Sequence, residues 1–320
     1  MVQPPTFQDV LKARQIVRRY LPRTPLHFYP ALSDLLGFQV YVKHENHQPV
    51  GAFKVRGGVY LTSQLSEDER RRGMITASTG NHGQSIAYAG RLFGVRAVIG
   101  VPEGANPGKV AAMRALDAEV RFHGVDFDAA REYVERLAAD EGYRYVHAGN
   151  EPHLIAGVGT YALEILEDLP DVETILVPVG GGSGAAGICT VVRAVKPTVE
   201  VIGVQAAAAP AAYKSWKARS LVEDRTETFA EGLATRTAFS LPQRILWHHL
   251  DDFVLVSEED MRQAIVLMLE QTHNLAEGAG AAALAAAVNL KEQLAGRKVA
   301  LVLSGGNLSV EKLRWALALE

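Results

Sequence analysis

Cysteine is almost missing from this chain. Among 320 residues only Cys189 is a cysteine, so no internal disulfide can form, which fits a reducing compartment. Charge is nearly balanced: 33 Lys and Arg against 36 Asp and Glu leave a formal net charge of -3. That balance argues against a general nucleic-acid or membrane-surface binder. No apolar run is long enough for a bilayer, and the most apolar tract, residues 279–288, is short and alanine-rich. The N-terminus carries Asp9, Lys12 and Arg14 where a signal peptide needs an apolar stretch. Repeats of fixed period, low-complexity linkers and charged tails are also lacking. A cytoplasmic protein is expected, with no nucleic-acid or membrane partner.

The chain does have a large apolar share and a regular alternation of elements. A length of 320 residues exceeds one hydrophobic core, so two lobes are expected, and 48% hydrophobic content is ordinary for a globular protein. Thr6 can cap a first helix through Tyr20, turning Val10, Leu11, Ile16 and Val17 inward. Strand patterns fall at 38–43, 74–77, 95–101, 119–122, 143–146, 174–179, 199–204, 253–256 and 298–303. Helical patterns fall at 59–72, 84–93, 109–116, 127–139, 152–167, 184–195, 257–273, 278–294 and 310–319. Residues 206–243 show no clear period and read as helix and loop. Strands alternating with helices predict α/β lobes with twisted, mostly parallel sheets.

Four stretches carry chemistry. Gly51-Ala52-Phe53-Lys54-Val55-Arg56-Gly57-Gly58 sets one lysine beside an aromatic ring and glycines. Lysine amines condense with aldehydes once desolvation or a nearby cation lowers their pKa, and Arg56 is a candidate cation. Alone, the stretch reads first as a solvated lysine in a helix-entry turn. Ser78-Thr79-Gly80-Asn81-His82-Gly83-Gln84 follows a strand and offers hydroxyls and free helix N–H groups to an anion. A capped helix without a ligand explains it equally well. Gly180-Gly181-Gly182-Ser183-Gly184 lets N–H groups converge on a phosphate. Its continuation to Gly187 also fits a dinucleotide pattern. The following strand ends at Val204-Gln205, with Glu200 near its start, so the acid needed for a ribose is misplaced. Ser304-Gly305-Gly306-Asn307 reads by itself as an ordinary strand-to-helix turn.

Together, the four stretches occur in an order and spacing that resembles the fold-type II pyridoxal-phosphate (PLP) enzymes. The threonine/serine dehydratase and serine racemase group is the nearest match. The resemblance runs from near residue 20 to the C-terminus and implies a two-lobed, tryptophan synthase β-like fold. Residues 1–70 and 150–320 would form the large PLP-binding lobe and 71–149 the small one, with no C-terminal regulatory domain.

By that resemblance, Lys54 is the Schiff-base lysine and Phe53 flanks the pyridine ring. Gly180, Gly181, Gly182, Ser183 and Gly184 hold the phosphate, Ser304 faces the ring nitrogen and Asn81 the ring hydroxyl. Ser78, Thr79, Gly80, Asn81 and His82 receive the substrate carboxylate. Asn150 and Glu277 match further cofactor-side positions, although a solvated helix position explains Glu277 as well.

The implied reaction is an L-threonine/L-serine ammonia-lyase. Lys54 takes the α-proton, the β-hydroxyl leaves, and the product is a 2-oxo acid plus ammonia. Serine racemase with side β-elimination is the alternative, with Thr79 as the second proton-bearing group. A nicotinamide dehydrogenase and a non-catalytic PLP-binding protein are more distant alternatives. Ala129 stands where racemase-like members carry an arginine. Gln205 and Ala211 stand where several relatives place metal-binding acids, so no metal is expected. A homodimer or homotetramer acting on a small amino acid completes the expectation.

Overall fold

The computed structural model describes residues 2–318. Its strands are β1 (Leu26–Phe28), β2 (Gln39–His44), β3 (Met74–Ala77), β4 (Ala97–Val101), β5 (Glu119–Phe122), β6 (Arg144–Tyr145), β7 (Thr174–Pro178), β8 (Glu200–Ala206), β9 (Asp252–Val256) and β10 (Lys298–Leu303). They form a six-stranded sheet, β1-β2-β10-β7-β8-β9, and a four-stranded sheet, β5-β4-β3-β6. Every pairing is parallel except β1 with β2. This is the expected α/β architecture.

Alternation along the strands explains why both sheets are covered on both faces. In β7 and β10, Ile175, Val177, Ala300 and Val302 enter one apolar cluster, while Leu176, Val299, Leu301 and Leu303 enter another. In the smaller sheet Ile75, Ala77 and Val98 face one cluster, and Met74, Ala97, Ile99 and Val101 the other. Near-continuous apolar strands are what helix-covered parallel sheets require. The alanine-rich tract forms the Gly278–Asn289 helix, buried from Gly278 to Ala287 and packed on β7 and β10.

Several expectations need correction. Leu11 is exposed; Val10, Ala13 and Val17, at helical spacing, form the inner face instead. The expected helix at 59–72 is two helices, Lys54–Ser63 and Glu67–Arg72. Ser66 starts the second with a reciprocal cap, its Oγ accepting from Glu69 N–H while the Glu69 carboxylate accepts from Ser66 N–H. Residues 206–243 contain the Ala211–Ala218 helix, a 3-10 turn at Glu231–Leu233 and the start of the Ser240–His249 helix. The helix expected at 278–294 breaks after Asn289. The closing helix runs Val310–Ala316, and its expected last residue, Leu319, lies outside the described residues.

Candidate active site

Three loops leave the carboxyl ends of β3, β7 and β10, the edge where open α/β sheets bind ligands. Backbone contacts bring Lys54 to them. Phe53 N–H donates to Ser304 O at 3.0 Å, Ala52 bridges Gly305, and Gly306 N–H donates to Gly51 O at 2.9 Å. Gly51 has a φ of +67°, and a Cβ there would come within 2.7 Å of Asn307 Oδ1. Only glycine suits that turn.

Lys54 opens the Lys54–Ser63 helix, and its Nζ donates to Ser183 Oγ at 2.9 Å and to Ala148 O at 3.1 Å. The Phe53 ring centroid lies 5.4 Å from Nζ. Burial lowers the Lys54 ammonium to about 8. Arg56 is not the cause. Its guanidinium, 1% exposed, is forked to Glu45 at 2.7 and 2.9 Å and to Glu164 at 2.7 and 2.8 Å. Two positions along a helix the side chains point apart, so Arg56 enters the core while Lys54 enters the site. Lys43, the nearest comparable lysine, is buried against Glu164 at 2.6 Å.

The glycine loop turns where β7 ends. Gly182 takes the left-handed conformation, with φ +85°. At Gly181 space is the constraint, since a Cβ would lie 2.2 Å from Phe239 Cε2. Gly180 packs on the Gly232 carbonyl, 2.1 Å from where a Cβ would stand. Ser183, 1% exposed, begins the Ser183–Val195 helix, whose first N–H groups have no partners inside the helix.

Ser304 is buried at the end of β10. Asn81 Nδ2 donates to Glu277 Oε1 at 2.7 Å, and Asn307 Nδ2 donates to Asn81 Oδ1 at 2.8 Å. Burial lifts the half-buried Glu277 carboxyl to about 6. Asn150 Oδ1 accepts from Leu241 N–H at 3.0 Å, so this side chain leans towards the Ser240–His249 helix.

Around β3, Ser78 Oγ accepts from Gly80 N–H at 3.2 Å and from Gly83 N–H at 3.0 Å. Thr79 and Gly80 are half-buried beside it. His82 departs from expectation. Its Nε2 meets Thr76 Oγ1 at 3.0 Å, and that hydroxyl spends its proton on Val146 O at 2.7 Å. Nε2 therefore carries the hydrogen and Nδ1 is a bare lone pair. Burial, reinforced by Lys54, lowers the imidazolium to about 3. A neutral ring with only a lone pair left does not attract a carboxylate.

These groups assemble a desolvated amine, a glycine-led helix N-terminus and polar side chains from the loops after β3 and β10. The sequence profile of the pyridoxal-phosphate dependent enzymes matches residues 17–305. The chain belongs to that family.

An L-threonine ammonia-lyase of Thermotoga maritima is 40% identical over 309 residues, covering 96% of this chain and 77% of that one. The processed form of threonine deaminase isoform 2 from Solanum lycopersicum superposes with a TM-score of 0.92 at 30% identity, over 99% of this chain and 96% of that one. Serine racemase from Dictyostelium discoideum gives 0.90 at 30% identity, over 96% and 99%.

Pyridoxal phosphate, the family's cofactor, fits the residues present. Among the described residues the Lys54 amine has no carboxylate as a hydrogen-bond partner, and it sits at the positive end of a glycine-led helix. An aldehyde bearing a phosphate satisfies both. The Ala148 carbonyl and Phe239 carry no signal in the sequence. Any residue can supply a carbonyl, and Phe239 lies in the stretch without a period.

Proposed function

We propose that this chain is a PLP-dependent L-threonine/L-serine ammonia-lyase, yielding 2-oxobutanoate or pyruvate plus ammonia by α,β-elimination. One observation carries the reading: the Lys54 amine, held near 8, lies 2.9 Å from Ser183 Oγ at the head of the glycine-led helix. The ammonia-lyase and deaminase relatives support it.

In this reading Gly180, Gly181, Gly182, Ser183 and Gly184 hold the phosphate. Phe53 flanks the ring, Ser304 meets its nitrogen and Asn81 its hydroxyl, with Asn150 and Glu277 behind them. Bound there, the cofactor supplies an electron sink for the charge left on the substrate Cα. Lys54 accepts the α-proton, which an amine near 8 does in its neutral fraction at physiological pH. Ser78, Thr79 and Gly80, with the N–H groups of Asn81 and His82, hold the substrate carboxylate. The β-hydroxyl departs as water, and the free enamine product hydrolyses to the 2-oxo acid and ammonia.

Residues 71–149 form the small lobe in this proposal, and 1–70 with 150–320 the large one. The provenance of the two sheets supports that division. Among the described residues no helix is long and apolar enough to cross a membrane. A cytoplasmic homodimer or homotetramer acting on a small amino acid is part of the proposal.

Serine racemase is the second reading, favoured by the Thr79 hydroxyl and by the fold of the Dictyostelium racemase. Release of 2-oxo acid and of the opposite enantiomer, measured with each enantiomer of threonine and serine, tests both. Absence of 2-oxo acid from every substrate would remove the lyase.

A further inference from the structure

Glu231 holds two lysines that reach it from different parts of the fold. Lys109, on the Pro107–Arg114 helix after β4, pairs with its Oε2. Lys312, on the Val310–Ala316 helix, donates to its Oε1 at 2.6 Å and to Phe229 O at 3.1 Å. Burial works against the charge on Glu231, but the two lysines outweigh it and hold the carboxyl below its ordinary range. Glu231 also opens the Glu231–Leu233 turn, which is wedged against the candidate cofactor site. On one side the Gly232 carbonyl lies 2.1 Å from where a Cβ on Gly180 would stand. On the other, a Cβ on Gly232 would lie 2.7 Å from Ala279 Cβ and 3.8 Å from Glu277 Oε1. Lys109 thus ties the four-stranded-sheet side of the molecule to a turn that backs the glycine loop.

We propose that Glu231 is a positioning residue for the glycine loop: clasped by Lys109 and Lys312, it pins the Glu231–Leu233 turn against Gly180 and slows cofactor release. The inference rests on the reading that the Gly180–Gly184 loop holds the phosphate. A partly exposed ion pair has a small effect, so the expected change is modest.

The test is the rate at which the holoenzyme gives up cofactor to an excess of a scavenging apoprotein. Glu231→Gln and Lys109→Met should each speed release about threefold. The double variant should be no faster than the faster single one, because both remove the same contact. Sodium chloride should speed release from the wild type and leave Glu231→Gln unchanged. An ion pair that merely stabilises the fold would lower the unfolding midpoint of the cofactor-free protein without altering release. That pattern, or multiplicative effects in the double variant, would overturn the clasp. Gly181→Val separates the two ideas, since it should weaken cofactor binding through the loop itself. If it does so while Glu231→Gln releases at the wild-type rate, the clasp alone falls; if Gly181→Val binds normally, the loop assignment falls.

Discussion

Asn81 Nδ2 donates to Glu277 Oε1 at 2.7 Å, across 196 residues of sequence. The bond joins the loop after β3 to the head of the Gly278–Asn289 helix, and burial there lifts Glu277 from 4.5 to about 6. A carboxyl raised in the fold favours its protonated form. Its contribution to stability is therefore complete below 4.5 and lost as pH rises through 6. Glu277→Gln keeps an acceptor for Asn81 without the charge. The cofactor-free variant should be about 2 kcal/mol more stable than wild type at pH 8, a gap that narrows towards acid pH. Urea unfolding at pH 5 and pH 8 measures it, and equal gaps at both would contradict the raised carboxyl.

Arg56 behaves as a core residue. Glu45 is 0% exposed, and the Glu164 side chain 13% exposed, so their charges depend on this guanidinium and on Lys43. Arg56→Met would leave two buried carboxylates facing one lysine. A loss of about 3–5 kcal/mol is expected from such an uncompensated charge. Denaturant unfolding of the cofactor-free protein checks it; a loss below 1 kcal/mol would mean that water or rearrangement satisfies the acids.

The contrast between Lys54 and Arg56 shows what the sequence could and could not reveal. Lys54, Ser78, Ser183 and Ser304 stand out in the sequence only when the four glycine-marked stretches are read in register, since each stretch alone has an ordinary turn or helix-entry explanation. Arg56 follows Lys54 by two positions, yet the helix turns their side chains apart, so proximity in sequence is not proximity in space here. The break between the Lys54–Ser63 and Glu67–Arg72 helices is marked in the sequence by the Ser66-to-Glu69 capping pair. Phe239 against Gly181 was not legible, since that contact exists only after two distant segments pack. His82 shows the same limit, because its tautomer depends on Thr76 and Val146.

Lys54 offers the most direct check of the site. In the cofactor-free protein its amine should react with an amine-selective label with a midpoint near pH 8, against 10.5 for an ordinary lysine. Lys54→Ala should fold and retain phosphate-directed cofactor binding. Borohydride should no longer fix the cofactor to the chain, and turnover should fall roughly 10²–10⁴-fold. Peptide mapping of the reduced protein decides the matter: a label on Lys43 or Lys109 would displace Lys54 from its role.

Thr79 decides between the two readings of the activity. Racemisation needs a proton-bearing group on the face of the substrate opposite Lys54, and in the proposed reading Thr79, beside Ser78 on the loop after β3, is the candidate. Ser78 Oγ accepts from the Gly80 and Gly83 N–H groups, which fixes its orientation on the loop, while among the described residues no hydrogen bond engages the half-buried Thr79 hydroxyl. Its β-methyl restricts the side chain to fewer rotamers than a serine would have, so the hydroxyl is present but less free to swing towards Cα. Elimination should therefore dominate in the wild type, with slow conversion of L-serine to D-serine beside it. Thr79→Ala should abolish D-serine formation and keep most ammonia release, because the neighbouring N–H groups still hold the carboxylate. Thr79→Ser should raise the D-serine fraction by freeing the hydroxyl. Chiral chromatography of serine run alongside ammonia release gives both quantities from one reaction. D-serine forming faster than ammonia in the wild type would make the racemase the better reading, and equal losses of both products in Thr79→Ala would assign Thr79 to substrate binding alone.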